Sequence, residues 1–258
     1  MRERLNAHLR NTPHGAALEA SLDAITQAAG RSGDTEVLAG KAWGLMIGYH
    51  VRWARSGWNA VAVEAAFQLP IINPATGRRS RTFTQAGRCE GVVSRGGEEF
   101  LLQSKTAGED IDRPDAPFWR QLVVDTRTGI YALARCRLGR PVAGVLHDVL
   151  RRPQVRPRVI PKGTPKRTER ENAGTRLELQ RRNTYFAWPV DPRERDAVLQ
   201  GDGRETAGLY AIRIAADTLR RPGWHFQRRV LKGSATQLAR RARGLWERCL
   251  ALRAIHAP

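Results

Sequence analysis

Two strand-like segments joined by a very short turn constrain this chain more than any other feature. Residues 82–94 (TFTQAGRCEGVVS) and 98–106 (EEFLLQSKT) have strand-type patterning, and only Arg95, Gly96 and Gly97 separate them. A Gly-Gly pair between such segments reads as a tight hairpin. Gln103 and Lys105 stand two residues apart, so they leave their strand on one face. The turn brings Glu90 beside them across the hairpin. Phosphodiester hydrolysis uses clusters of this kind. Oxygen ligands hold a divalent metal, the metal lowers the pKa of a bound water, and an ammonium offsets the charge that develops. On spacing alone the trio is a weak signal, because polar trios fall by chance on exposed strand faces.

The flanking sequence sets the fold class. Residues 14–29 read as a short helix. Residues 35–56 read as a longer one, with Leu38, Ala42, Leu45, Met46 and Tyr49 at helical spacing and Gly57 as its stop. Residues 60–71 are strand-like, and the following INPATGRRS is a loop. After a polar loop at 107–116, residues 118–139 read as one helix closed by Gly139, and 141–153 as a buried strand. The order is helix, three strands, helix, strand, which predicts an α/β domain with a mixed sheet over residues 1–150. Residues 151–172, rich in proline and basic residues, read as a linker or arm. Residues 173–258 read as a basic, mostly helical region, with a strand allowed at YFAWPV. Its last segment, 234–255, is an amphipathic basic helix with Ser234 as N-cap after a break at Gly233.

Charge points to the partner. The formal net charge is +19, from 44 Lys and Arg against 25 Asp and Glu. Residues 1–140 hold 19 basic against 14 acidic residues, and residues 141–258 hold 25 against 11. A basic half of this kind favours a polyanion, most often nucleic acid. Codon bias toward arginine is the competing explanation. It accounts for Arg over Lys better than for the shortage of acids. Arg151, Arg152, Arg156, Arg158, Lys162, Lys166, Arg228 and Arg229 are the expected phosphate contacts. For any one of them a solvated surface is as good a reading. Trp188, Trp224 and Trp246 offer stacking faces, but core packing is the preferred reading of each. No run of about 18 apolar residues is present, so no transmembrane helix is expected. The N-terminal segment lacks the apolar stretch of a secretory signal. Cys89, Cys136 and Cys249 are widely spaced, which predicts neither a disulfide framework nor a zinc site. A reducing, cytoplasmic setting is expected.

The run from GYHVRW through AVEAAFQLPIINPATGRRSRTFTQAGRCEGVV, FLLQSKT, DTRTGIYALA and VAGVLHDVLRRP resembles PD-(D/E)XK nucleases, closest to the RecB-like, phage-type exonucleases. The resemblance covers roughly residues 36–160 and recurs weakly at RPGWHFQRR. It implies a restriction-endonuclease-like core. It also implies a DNA exonuclease dependent on Mg²⁺ or Mn²⁺ and acting in recombination, repair or phage replication. Residue by residue it makes Lys105 the catalytic lysine, with Glu90 and Gln103 beside it. Metal ligands would come from Glu90, Gln103, His50 and the carbonyl of Ser104, with Glu64, Arg127 and Tyr131 in support. Homo-oligomers and partners in recombination or replication are compatible with such families. Three positions depart from the pattern: Glu90 replaces Asp, Gln103 replaces Glu or Asp, and Arg127 replaces Gln. These departures carry the rival expectation, a nuclease-fold protein that binds DNA without cleaving it.

Overall fold

The computed structural model describes residues 14–29, 35–123, 125–157 and 207–255. The strand proposed at YFAWPV and most of the proline-rich segment lie outside the described residues. The chain divides into two units. One comprises Met1–Ser56 and Arg151–Phe226, the other Gly57–Leu150 and Gln227–Pro258.

In the first unit, helices α1 (His14–Ala29), α2 (Thr35–Trp53) and α5 (Ala207–Arg220) pack together. Ile47 and Val51 of α2 meet Ala215 and Leu219 of α5. Glycines at every fourth position of α2 (Gly40, Gly44 and Gly48) fall on one helix face. A Cβ built on Gly44 would lie 2.5 Å from the carbonyl oxygen of Ala211. The two helices therefore approach to backbone contact. A short helix, α6 (Pro222–His225), ends this unit.

The second unit is an α/β layer. Its mixed five-stranded sheet has the order β1-β4-β5-β6-β7, from β1 (Asn59–Val63), β4 (Gly91–Arg95), β5 (Glu98–Ala107), β6 (Gly144–Arg151) and β7 (Phe226–Leu231). The predicted hairpin is present. Strands β4 and β5 pair antiparallel from Gly91↔Leu102 to Arg95↔Glu98. Gly96 and Gly97 close the turn at φ +60° and +82°, a backbone that glycine adopts without strain.

The predicted strands 60–71 and 82–94 are each divided. β1 ends before Glu64, and β2 (Ala66–Ile72) begins after it; β3 (Arg79–Arg88) ends before Glu90, and β4 begins after it. Strands β2 and β3 form a separate two-stranded ribbon. Glu64 makes the break, with φ at +53°, a conformation few non-glycine residues adopt. Its N–H donates to the carbonyl of Glu90 at 3.0 Å, so both strands leave the main sheet at one level.

The predicted helix 118–139 is two helices, α3 (Pro117–Val123) and α4 (Thr126–Arg137). Asp125 breaks it by capping α4: its side chain accepts from the N–H of Arg127 at 2.9 Å. Two cores flank the sheet. Val92, Leu101 and Val145 pack with Cys89, while Ile111, Phe118, Trp119 and Val149 form the other. The last helix, α7 (Ala235–Ile255), starts at the predicted cap. Ser234 Oγ accepts from the N–H of Gln237, and Gln237 Oε1 accepts from that of Ser234, both at 3.1 Å. Residues 226–231 are a strand, where the sequence reads as helical.

Candidate functional site

Strand β5 carries Gln103, Ser104 and Lys105 toward the first turn of α4. Gln103 is 3% exposed, and its side-chain oxygen accepts the hydroxyl hydrogen of Thr128. Two residues on, Lys105 reaches the helix cap, with Nζ 3.4 Å from Oδ2 of Asp125. The expected common face of Gln103 and Lys105 is therefore present, and both side chains are held by α4. Glu90 lies at the β3–β4 break, where its Oε2 accepts from the N–H of Ser104 at 2.6 Å. Its carboxylate thus sits on the backbone between Gln103 and Lys105. The hairpin brings the three residues together as the sequence predicts.

Two neighbours were not foreseen. Burial pushes the Asp125 carboxyl up, but the N–H of Arg127, the Lys105 ammonium and the Thr128 hydroxyl outweigh it and hold the group below the usual carboxylate range. His147 on β6 is 1% exposed, and among the described residues its Nδ1 has no hydrogen-bond partner. Burial, with the nearby Lys105 charge, lowers its pKa to about 4 against a smaller opposing pull from Asp125. A cavity of about 190 Å³ adjoins this cluster, lined in part by Asp125, Thr128, His147, Lys232, Gln237 and Arg241. Apolar residues, among them Leu122, Val142, Val230 and Leu238, make up most of the rest of its wall. The sequence held a signal for each: Asp-Thr at the start of a helical pattern for Asp125, and a His-Asp pair inside an apolar strand for His147.

The buried neutral imidazole makes stability depend on pH. His147 titrates near 6.5 when unfolded and near 4 when folded. The unfolded chain therefore binds more protons between those values, and stability falls as pH drops from about 6.5 toward 4. The loss is on the order of 3 kcal/mol when complete. Melting temperature measured from pH 7.5 to 4 should fall through this window. A His147 ring that titrates near 6.5 by NMR would contradict the assignment.

Of the remaining predicted residues, Glu64 is tied to Glu90 and Arg127 to Asp125 through backbone N–H groups. His50 is buried on α2 of the first unit, whereas Glu90, Gln103 and Lys105 belong to the second. Glu64 forms an ion pair with Arg88 at 3.3 Å. Tyr131 packs edge-on against Phe67, with ring centroids 5.8 Å apart, and Arg127 is exposed on α4.

Of the predicted phosphate contacts, Arg152 and Arg156 are exposed, while Arg158, Lys162 and Lys166 lie outside the described residues. Arg151 is buried over the Trp224 ring at 3.8 Å. Arg228 bonds Asp148 through Nε at 2.9 Å. Arg229 donates to the carbonyls of Ile111 and Asp112 and covers the Trp119 ring. These last three guanidinium groups are engaged by the protein itself.

No family model, curated protein or solved structure matches this chain.

Mg²⁺ is usually held by one or two carboxylates, with water and substrate phosphates completing its shell, so what matters is which carboxylates are uncommitted. Among the described residues no group of three His, Cys, Asp or Glu could hold a metal ion. The buried Gln103 amide oxygen already takes the Thr128 hydroxyl, and Asp125 is shared between Lys105 and the helix cap. Glu90 is left as a lone carboxylate with the Ser104 N–H on one oxygen. As placed, the cluster presents one uncommitted carboxylate, a poor fit to Mg²⁺ or Mn²⁺.

Proposed function

We propose that this chain binds DNA on a nuclease-like α/β core whose cleavage cluster has become a structural one. The observation that carries this reading is the capture of the cluster by α4. Lys105 pairs with Asp125, and the Gln103 oxygen is held by Thr128. A lysine neutralised by a carboxylate is a poor partner for a developing phosphorane charge, and a neutral amide brings no charge to a metal. The net charge of +19 supports a polyanionic ligand. The strand order, with the β4–β5 hairpin central and β6 beside β5, supports the nuclease-like core.

One observation favours a second reading, a metal-dependent DNA exonuclease. The Glu90 carboxylate lies against β5 between Gln103 and Lys105, so a carboxylate and a lysine are adjacent as the cleavage motif requires.

Linear duplex DNA separates the two. The first reading expects a gel shift at low salt that weakens steeply as salt rises, with no digestion under Mg²⁺ or Mn²⁺. It also expects the double variant Glu90→Asp, Gln103→Glu to gain cutting, because two acids then face one metal. Digestion by the wild type that Lys105→Ala abolishes would instead establish the exonuclease. Absence of any shift at low salt would sink both.

A further inference from the structure

The β2–β3 ribbon is a basic element that the cluster around Lys105 does not use. From Ala66 to Arg88 the sequence contains no Asp or Glu, and it carries Arg78, Arg79, Arg81 and Arg88. Arg88, at the root, is paired with Glu64. Arg78, Arg79 and Arg81, toward the far end, are exposed, and among the described residues none of them has an ion-pair partner. Unpaired like charges held together cost energy unless a counter-charge is recruited, so their neighbourhood is built for an anion.

The ribbon holds that charge in a fixed place. At its tip the Asn73 side chain accepts from the N–H of Ala75 at 2.9 Å. The N–H of Gly77 donates to the Asn73 carbonyl at 2.9 Å, with Gly77 at φ +69°. Along its length the ribbon is braced by two helices. Phe67 meets Tyr131 of α4 edge-on, and a Cβ on Gly87 would fall 2.7 Å from the Phe67 ring. Gln85 donates to the carbonyl of Ile130 at 3.3 Å. Arg253 of α7 covers the Phe83 ring at 5.7 Å and reaches Thr82. Ordering costs on docking are therefore low.

The shape selects among polyanions. A two-stranded ribbon fits the major groove of B-form DNA, which is about 12 Å wide. The tip residues Pro74, Ala75, Thr76 and Gly77 include no large apolar side chain, so the ribbon lacks the anchor a membrane-surface element uses. We infer that the ribbon is a docking arm for duplex DNA, with Arg78, Arg79 and Arg81 on the phosphates that flank a groove. The inference rests on the DNA-binding reading above and adds a surface outside the predicted phosphate contacts.

The test is the triple variant Arg78→Ala, Arg79→Ala, Arg81→Ala, measured on a duplex DNA across a salt series. Three lost phosphate contacts should reduce the slope of log affinity against log salt by about 2.7. Affinity near 100 mM salt should fall on the order of 10- to 100-fold. The corresponding triple lysine variant should keep the wild-type slope, and both should melt like the wild type, since the three side chains are exposed. If the wild type binds DNA and the alanine variant binds with the same slope and affinity, the arm is refuted while the DNA reading stands. If the wild type does not bind DNA, the reading beneath it has failed. If anionic vesicles retain the wild type through these three arginines while its DNA binding does not need them, the ribbon is a membrane element and the inference is wrong.

Discussion

Gly44→Ala is expected to destabilise the protein by on the order of 1–3 kcal/mol, the reverse of what glycine-to-alanine does in an open helix. In an unobstructed helix interior the change gains about 1 kcal/mol, because alanine loses less backbone entropy. At Gly44 the added Cβ lies 2.5 Å from the carbonyl oxygen of Ala211 and 2.6 Å from the Ile214 Cβ. The first of these is backbone and cannot rotate away. The same holds at Gly40, whose Cβ would run into the carbonyl oxygen of Ala207. Relief requires α2 and α5 to separate, which strips contact from Ile47, Ala215 and Leu219 together. Overpacking of this kind costs about 1–3 kcal/mol, which exceeds the propensity gain. Gly244 in α7 is the control, because a Cβ there meets nothing within 4 Å. Gly244→Ala should therefore stabilise by roughly 1 kcal/mol. Denaturant melts of the two variants check the contrast. Equal stabilisation by both would mean that α2 and α5 are not in backbone contact.

Local signals in the sequence were legible where the structure is local. The β4–β5 hairpin follows from Gly96-Gly97, and it alone brings Glu90 within reach of Gln103 and Lys105. The Ser234 cap and the α7 it starts were legible for the same reason. What escaped depended on partners distant in sequence, or on a backbone angle that side-chain alternation does not report. Alternation runs on through Glu64 and Glu90, so each flanking segment reads as one strand. A non-glycine residue at positive φ then sends the chain into a separate ribbon. Residues 226–231 read as helical because arginines interrupt any apolar alternation. They form a strand at the end of the sheet, and one of those arginines is neutralised by Asp148. The cluster around Lys105 was half legible. Its strand residues were named, but Asp125 was absorbed into a continuous helix and His147 into an apolar strand. Composition also could not distinguish a free arginine from an engaged one. Arg228 and Arg229 looked like phosphate contacts, whereas the ribbon's Arg78, Arg79 and Arg81 sat in a segment read partly as a plain loop.

Asp148→Ala is expected to cost about 3–5 kcal/mol, among the largest effects of any single substitution in the second unit. Asp148 lies on β6 at 1% exposure, and its Oδ2 accepts from both Nε and Nη2 of Arg228 on the neighbouring β7, at 2.9 and 2.8 Å. Both guanidinium nitrogens converge on one carboxylate oxygen, a charge-assisted contact inside the protein. The cost of the variant includes, besides the lost attraction, a guanidinium only 13% exposed from which this carboxylate has been removed. A double replacement, Asp148→Leu with Arg228→Met, removes both charges and should recover most of the loss, because apolar residues can fill a desolvated site without that penalty. The same pair also bears on the DNA-binding proposal. Arg228 is turned inward, so Arg228→Ala should lower the melting temperature yet leave the salt slope of DNA binding unchanged. Arg78, Arg79 and Arg81 should behave in the opposite way. A salt slope that falls by about 0.9 on losing Arg228 would mean that this guanidinium leaves Asp148 for a phosphate. The buried pair would then be part of the DNA-binding surface.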